Sequence, residues 1–404
     1  MSWHIGIVGP VATADVRALL DDPAAELPRG YEGAPLLGTL IAELLRQGHR
    51  VSAFTLSGDL PLRHDAARRV RGPGFELHYA PMRPRAWPFN GWRPGRIVDL
   101  YAFERAGLQR AIAAAKPELL HAHWSYEFAW AALRSGLPHV VTCHDSPFTI
   151  ARFYRGFRLA GYRWLRAFIA WHVLRSARSV TTVSPYMVDQ VQPLCRVPVQ
   201  VVPNPLGREA FGLVRSVEPG RCRVLMVCNG WGLRKNPEPA LLAFARLASV
   251  LPQAELVLLG ADFGPGEAAE RWWRAQGLQG RVRFEGARPY AEVLGWMSRS
   301  ELLLHPSLEE SFGAVVAEAL AIGLPVVAGH ASGAVPWIVG ELGRLVDVRS
   351  PIAMAEALLA LLADEGQRRR LGDAARASMG QRFSVERVAA GYTAAYARAL
   401  GAAA

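Results

Sequence analysis

Short apolar runs alternate with amphipathic helical patterns along most of the chain. In the first such unit, an apolar run at residues 4–8 is followed by a helical pattern at 36–47, a glycine at Gly48, and a second apolar run at 50–55. The helical pattern carries apolar residues three and four positions apart, and a glycine is a common helix stop. A strand, a helix and a second strand in this order are typical of a parallel sheet, so the sequence predicts an α/β protein.

The same pattern predicts two series of strands. The first series covers residues 4–8, 50–55, 76–80, 119–122, 139–143, 179–183 and 199–202, and the second covers 223–228, 255–259, 282–285, 302–305, 325–328 and 343–346. Between them, a stretch from Pro203 to Gly220 has the proline and glycine content of a linker.

A chain of 404 residues is too long for one ordinary hydrophobic core. We therefore predict two Rossmann-like, doubly wound domains, at residues 1–205 and 206–380, which face each other across a cleft. Residues 381–404 form a terminal helix that packs back on the first domain. Open α/β sheets bind ligands at the carboxyl ends of their strands, which places the expected site in the cleft.

The formal net charge of +11 is concentrated in one part of the sequence. Residues 151–180 hold seven arginines and no acidic residue, interleaved with aromatic residues. This combination is typical of helices at a lipid interface, and it predicts a contact with anionic lipid or with an anionic acceptor. The alternative is a solvated helix whose aromatic side chains belong to the core. No nucleic-acid module accompanies the basic stretch, so we expect no nucleic-acid partner.

The N-terminus and the cysteines indicate the compartment. The first residues lead directly into a strand pattern and lack the features of a secretory signal. No segment reaches 18 uninterrupted apolar residues, the length that a spanning helix needs. The four cysteines form no C-x-x-C pair, which fits a reducing compartment without disulfides or a cysteine zinc site. We expect a cytoplasmic protein, with peripheral contact at the inner face of the membrane as an open possibility.

Candidate chemistry concentrates at residues 305–327, which the pattern predicts to be strand, polar turn, short helix and strand. We predict that this short helix begins at Phe312. A helix N-terminus attracts phosphate through its free amides and its dipole, so the amides near Phe312 and Gly313 are a candidate diphosphate site. Glu310 and Glu318 lie at the two ends of this helix, about 12 Å apart along its axis, and can accept hydrogen bonds from two hydroxyl-bearing rings. The alternatives are a capping box formed by Ser307 and Glu310, and a solvated Glu318.

Several spaced motifs occur together around this stretch. They are Gly48-His49-x-Val51, His121-Ala122-His123-Trp124, Thr142-Cys143-His144-Asp145, Val183-Ser184, Val202-Pro203-Asn204, Lys235-Asn236-Pro237, Phe284-x-Gly286, Glu310-x7-Glu318 with Phe312-Gly313 inside it, Gly323-x-Pro325-Val326-Val327 and Phe383-Ser384. In this order they resemble family 4 of the retaining glycosyltransferases with the GT-B fold. The resemblance implies an N-terminal acceptor-binding domain and a C-terminal domain that binds a nucleotide sugar.

The resemblance also implies roles in donor binding. Glu310 would bind hydroxyls of the donor sugar, the amides of Phe312 and Gly313 would bind the diphosphate, and Glu318 would hold the ribose. Ser311 belongs to the same donor site. Lys235 would neutralise the departing diphosphate.

Other positions depart from the family or match it less closely. The family usually has an arginine at the position of Gly230, and Arg234 is a candidate replacement for its charge. Gly33 lies where the family more often has paired glycines, and it is either a donor-site glycine or a plain turn. His144 matches a histidine that reaches the donor sugar near the reacting carbon, so we group it with Glu310 and Lys235 as catalytic. We place His123 and Trp124 on the acceptor side.

The resemblance predicts a metal-independent hexosyltransferase with no cofactor apart from its nucleotide-sugar donor. His121, His123 and His144 form a conceivable metal triad, but the sequence has no D-x-D motif. The acceptor would be a saccharide, a lipid-linked molecule or a small molecule, in polysaccharide or glycolipid synthesis. The alternatives are a non-catalytic protein that binds sugars or sugar nucleotides, and a GT-B epimerase or phosphorylase.

Overall fold

The structure is a computed structural model that describes residues 2–153, 156–217 and 222–401. The chain splits into two compact units, Met1–Pro205 with Val385–Ala404, and Leu206–Ser384. Tyr154 and Arg155 of the basic stretch, the end of the expected linker at 218–221, and the final residues 402–404 lie outside the described residues.

The first unit is built on an eight-stranded sheet. Its elements are β1 (His4–Val8), α1 (Thr13–Val16), α2 (Pro35–Arg46), β2 (Arg50–Ser57), β3 (Arg68–Gly72), β4 (Phe75–Pro81), α3 (Ala102–Ala115), β5 (Leu119–His123), α4 (Glu127–Arg134), β6 (His139–Cys143), α5 (Pro147–Ala151), α6 (Phe157–Ser176), β7 (Val180–Thr182), α7 (Pro185–Val191) and β8 (Val199–Val201). The strand order is β3-β4-β2-β1-β5-β6-β7-β8. All neighbours are parallel except β3, which is antiparallel to β4 at the edge.

The second unit is built on a six-stranded parallel sheet. Its elements are α8 (Arg208–Gly212), β9 (Cys222–Val227), α9 (Pro237–Val250), β10 (Ala254–Leu259), α10 (Ala268–Ala275), β11 (Arg281–Gly286), α11 (Tyr290–Ser298), β12 (Leu302–His305), α12 (Ala314–Ile322), β13 (Val326–Gly329), α13 (Val335–Val339), β14 (Arg344–Val346), α14 (Pro351–Ala363) and α15 (Glu365–Phe383). The order β11-β10-β9-β12-β13-β14 reverses beside β9, as in a Rossmann fold. The prediction of two parallel-sheet α/β domains is confirmed.

The last helix, α16 (Val385–Ala399), belongs to the first unit, where it packs against α2 and β6. It buries Val388, Tyr392 and Tyr396 in the core of that unit. The hydroxyl of Tyr396 and Nδ1 of His121 are 2.7 Å apart. The chain therefore returns to the first unit after Ser384, and residues 381–383 still belong to α15.

No helix in the described parts of the chain is both long and apolar enough to cross a bilayer.

A buried arginine fixes the segment that follows β4. The guanidinium of Arg83 is fully buried and donates to Glu104 on α3 at 2.6 and 3.0 Å, and to Asp99 at 2.8 Å. Burial opposes the charge of Arg83, but both carboxylates raise the pKa of the guanidinium above its ordinary value. The segment from Arg83 to Asp99 is thus tied to the core at both ends.

We expect Arg83→Met to destabilise the first unit by about 3–5 kcal/mol, because it leaves the buried carboxylate of Glu104 without its charge partner. Urea unfolding followed by circular dichroism measures the loss. Arg85→Met, at an exposed arginine in the same segment, is the matched control. Equal stability of the two variants would contradict this account.

Candidate functional site

In the second unit, two segments at the carboxyl ends of neighbouring strands bring a lysine and a glutamate together. Lys235 lies in the loop after β9, and Glu310 lies in the turn after β12, which pairs with β9. The Nζ of Lys235 donates to Oε1 of Glu310 at 2.6 Å. The Nε2 of His305, the last residue of β12, is 3.4 Å from the same oxygen. Sequence reasoning did not assign a role to His305.

The charges around Glu310 keep it ionised. Burial favours its protonated form, but the ammonium of Lys235 and the ring of His305 outweigh burial and hold the pKa of this carboxyl well below its usual range. The site therefore holds a fixed negative charge beside a fixed positive one. Such a pair can accept hydroxyl hydrogen bonds on one side and contact an anion on the other.

The short helix after this turn begins at Ala314, two residues later than the predicted start at Phe312. Gly313 is its N-cap with φ of +90°, a left-handed conformation that favours glycine, and no side chain caps the helix. The alternative of a capping box is wrong, because Ser307 and Glu310 both precede the helix by several residues. The first amides of α12 are thus left without side-chain caps.

The two side chains that precede the N-cap of α12, those of Ser311 and Phe312, are buried. The ring of Phe312 packs edge-to-face against Phe383 at 5.3 Å, and Ser311 is buried beside it. Phe312 therefore contributes to the core with its side chain, and only its backbone remains for a ligand. Binding of a diphosphate by its amide stays a prediction.

Glu318 lies on the fifth residue of the nine-residue α12, in the middle of the helix and not at its end as expected. The hydroxyl of Tyr290, at the start of α11, donates to its Oε1 at 3.2 Å. Burial raises the pKa of Glu318 to about 7, and the hydrogen bond from Tyr290 opposes the rise. Glu318 is half-buried and hydrogen-bonded, so it is not the solvated helix residue of the alternative. Sequence reasoning missed Tyr290 because 28 residues separate it from Glu318.

Arg234 is held by another glutamate that the sequence analysis passed over. Its guanidinium donates to the carboxylate and the carbonyl of Glu309, at 3.3 and 3.4 Å. Glu309 is buried, and burial raises its pKa, against the effect of Arg234. The positive charge of Arg234, which is adjacent to Lys235 in the sequence, is therefore paired with the carboxylate of Glu309. Gly230 lies earlier in the same loop with φ of +95°.

In the first unit, the buried His123 and His144 and the half-buried Trp124 form one group at the ends of β5 and β6. Nδ1 of His123 and Nε2 of His144 share a hydrogen bond of 2.9 Å, and the ring of Trp124 lies 4.2 Å from that of His144. Burial lowers the pKa of His144 to about 3, against an opposing contribution from Asn204, and burial also lowers the pKa of His123. Both rings are neutral at pH 7, so each can donate or accept one hydrogen bond.

The side chain of His121 has a structural role in the core of the first unit. Its two ring nitrogens are hydrogen-bonded at 2.7 Å to Tyr396 and to Thr142. Across residues 2–153, 156–217 and 222–401, no three His, Cys, Asp or Glu side chains are grouped so as to hold a metal ion. Metal independence remains an expectation from the resemblance.

Gly33 lines a small cavity of the first unit, about 140 Å³ in volume, together with Trp124. Its φ is +111° and no atom lies within 4 Å of the position of an added Cβ. Glu127, at the start of α4, and Arg166, on α6, also line this cavity. Nη1 of Arg166 lies 3.3 Å from Oε2 of Glu127. Arg166 also donates to the hydroxyl of Tyr101 at 3.1 Å. Glu127 and Arg166 were not singled out from the sequence, since nothing in the sequence shows that α4 and α6 meet here.

Family models match both halves of the chain. Residues 36–208 match Glycosyltransferase Family 4, and residues 215–378 match glycosyl transferases group 1. With the two parallel-sheet domains, these matches show that the chain belongs to the GT-B glycosyltransferases.

Curated relatives include D-inositol 3-phosphate glycosyltransferases. The protein from Segniliparus rotundus is 28% identical over 385 residues, which cover 88% of this chain and 82% of the relative. The protein from Corynebacterium diphtheriae is 37% identical over 147 residues, or 35% of this chain and 34% of the relative. This chain spans about a third of the length of that relative and of the others that match similarly.

Solved structures share the fold. Sucrose-phosphate synthase from Thermosynechococcus elongatus superposes with a TM-score of 0.73 at 20% identity, covering 99% of this chain and all of the other. Anabaena Alr3699/HepE in complex with UDP gives 0.67 at 19% identity, covering 98% and 100%. WaaG, a glycosyltransferase involved in lipopolysaccharide biosynthesis, gives 0.65 at 18% identity, covering 97% and 98%.

The raised pKa of Glu318 predicts a pH-dependent stability. Between pH 4.5 and 7 the unfolded carboxyl loses its proton before the folded one, so the stability contributed by protonated Glu318 falls as pH rises, by about 1.4 kcal/mol per unit of pKa difference. We expect Glu318→Gln to gain stability relative to the native chain as pH increases from 5 to 7.5, measured by urea unfolding at each pH.

Two further variants control this measurement. Glu356→Gln, at an exposed glutamate of α14, should leave the pH profile unchanged. Tyr290→Phe removes the donor to Glu318 and should steepen the profile. A profile of Glu318→Gln that runs parallel to that of the native chain would show that Glu318 does not titrate in this range.

Proposed function

We propose that the chain is a retaining hexosyltransferase that moves a sugar from a nucleoside-diphosphate sugar to a hydroxyl acceptor. The observation that carries this proposal is the contact between Lys235 and Glu310 just before the uncapped start of α12. Lys235 provides a positive charge for a diphosphate, and the start of α12 provides free amides for the same group. Glu310 provides an ionised carboxylate for sugar hydroxyls. The UDP complex of HepE supports a nucleotide donor.

Each donor residue has a role in this proposal. The amides around Gly313 and Ala314 bind the diphosphate, with Ser311 and Arg234 at its edge. Glu310 accepts hydrogen bonds from the sugar, and Glu318 accepts them from the ribose after the hydroxyl of Tyr290 has moved aside.

In the transfer step, the bond between the anomeric carbon and the phosphate oxygen breaks, and the acceptor oxygen bonds to the same face of the anomeric carbon. The acceptor proton passes to the leaving phosphate. Lys235 stabilises the negative charge that develops on the diphosphate. Neutral His144 accepts or donates a hydrogen bond at the sugar, and no divalent metal is required.

The cavity beside Trp124 in the first unit is the proposed acceptor site. Glu127 and Arg166 offer both acceptors and donors to a hydroxyl-rich molecule, and the aromatic side chains around them can contact its apolar ring faces. The names of the curated relatives suggest an inositol phosphate as a first candidate. Participation in polysaccharide or glycolipid synthesis, in the cytoplasm at the inner face of the membrane, belongs to the same proposal.

A thermal-shift panel tests the donor class. UDP, GDP, ADP and their sugars are added with and without EDTA, and a nucleotide that binds the native state raises the melting temperature through binding linkage. We expect one nucleotide to stabilise the protein equally in both conditions. The absence of any stabilisation would contradict nucleotide-sugar use, and stabilisation that EDTA abolishes would contradict metal independence.

Substitution of Glu310 tests the assignment of the catalytic site. We expect Glu310→Gln to lower transfer by a factor of about 100 or more, because the amide has lost the charge that binds the sugar. Circular dichroism at the assay temperature checks that the variant is folded, since loss of the ion pair with Lys235 also lowers the melting temperature. Glu341→Gln, at an exposed glutamate of the same unit, is the control. Transfer from the stabilising nucleotide's sugars to inositol phosphate is measured by release of the nucleoside diphosphate. Normal transfer by Glu310→Gln would remove its role.

A further inference from the structure

Helix α6 is apolar on two opposite faces. One face packs into the first unit through Ala167, Ile169, Ala170 and Val173, all of which are buried. The other exposes Trp164, Phe168 and Trp171, which recur at helical spacing and are 56%, 49% and 43% exposed. The sequence alternative that these aromatic side chains belong to the core is wrong for these three residues. A solvated helix normally presents polar residues on its outer face.

A second exposed group of aromatic side chains lies beside α6. Trp87, Phe89 and Trp92 are 36%, 65% and 79% exposed, in the segment between β4 and α3. The ring of Trp87 lies over Gly161 of α6, where an added Cβ would be 3.6 Å from it. The hydroxyls of Tyr101 and Tyr162 join the end of this segment to α6 at 3.0 Å. The two groups are therefore parts of one surface of the first unit.

This surface is unusual within the molecule. Every exposed tryptophan and phenylalanine among the side chains that the structure describes lies on it: Trp87, Phe89, Trp92, Trp164, Phe168 and Trp171. The segment between β4 and α3 is also held in place, because the buried Arg83 is bonded to the carbonyl of Pro94 and to Asp99. The aromatic side chains are thus presented by an ordered backbone.

The charge of the surface is positive. The outer part of α6 carries exposed Arg158 and Arg175, and the sequence from 151 to 180 contains no acidic residue. Arg85 is exposed in the neighbouring segment, and the guanidinium of Arg93 lies 4.2 Å from the ring of Trp92. Tryptophan and phenylalanine partition into the headgroup region of a bilayer, and arginine is attracted to anionic headgroups.

We propose that the outer face of α6 and the aromatic segment at Trp87–Trp92 form one docking surface for an anionic lipid bilayer. The occupant follows from the chemistry of the surface: apolar rings for the acyl boundary, and exposed arginines for acidic headgroups. A folded protein partner would need acidic groups matched to individual arginines, whereas a bilayer supplies negative charge wherever the arginines lie. The proposal concerns lipid binding and does not depend on the transfer reaction.

Vesicle flotation of the 404-residue chain tests this proposal. The vesicles consist of phosphatidylcholine alone or of phosphatidylcholine mixed with phosphatidylglycerol, at low and at high salt. We expect binding to the anionic vesicles at low salt, weaker binding at high salt, and little binding to neutral vesicles. No binding to anionic vesicles at low salt would overturn the proposal.

Two sets of variants locate the contact. The triple variant Trp92→Ser, Trp164→Ser, Phe168→Ser removes exposed rings, and Val250→Ser with Ile352→Ser removes exposed apolar side chains of the other unit as its control. Arg158→Gln with Arg175→Gln removes two charges, and Arg246→Gln with Arg370→Gln removes two exposed arginines of the other unit.

We expect the aromatic triple variant and the Arg158–Arg175 variant each to lose affinity for anionic vesicles by about tenfold or more. Each of their two controls should keep the native affinity. Circular dichroism spectra check that all four variants are folded. Equal binding by a variant and its control would show that lipid contacts another surface, and would overturn the proposal. An equal loss of vesicle affinity in a variant and its control would show that binding depends only on net charge or general hydrophobicity, and would also overturn the proposal.

Discussion

The candidate site depends on one constraint, which is that neighbouring parallel strands end at the same edge of a sheet. In the second unit this constraint places the loop after β9 beside the turn after β12, and it thereby brings Lys235 within 2.6 Å of Glu310. Lys235 and Glu310 are 75 positions apart in the sequence, and the strands and helices between them return the chain to this edge. The ion pair, the free start of α12 and the environment of Arg234 all follow from that return.

The two carboxylates assigned to ligand binding differ in charge because their surroundings differ. Glu310 is held ionised by a nearby cation, whereas burial without a cation moves the pKa of Glu318 to about 7. The first is a permanent anion, and the second changes its protonation near neutral pH. The two histidines of the first unit show a third case: His123 and His144 are buried without a carboxylate partner and are neutral. The candidate residues thus include an ionised carboxylate, a carboxyl that titrates near neutral pH, and neutral imidazole rings.

The apolar runs of the sequence predicted thirteen of the strands, because buried parallel strands are continuous hydrophobic segments. The edge strand β3 was missed, since its residues are mostly arginine and only Val70 is apolar. The start of α12 was placed two residues early, because a left-handed Gly313 interrupts the backbone where the pattern suggested helix. Motif spacing identified Lys235, Glu310 and Glu318 as candidates, but contacts made through tertiary structure, such as that of Tyr290 with Glu318, have no signature in the sequence.

Helix α6, which is 20 residues long, contacts both the exposed aromatic surface and the cavity of the first unit. Trp164 and Phe168 point outward, and Arg166, between them in sequence, reaches inward to the cavity that holds Glu127 and Trp124. A helix resists bending and twisting over two turns, so these side chains move as a unit. A tilt or rotation of the exposed side of α6 would therefore also displace the guanidinium of Arg166 and change the volume of the cavity that it lines.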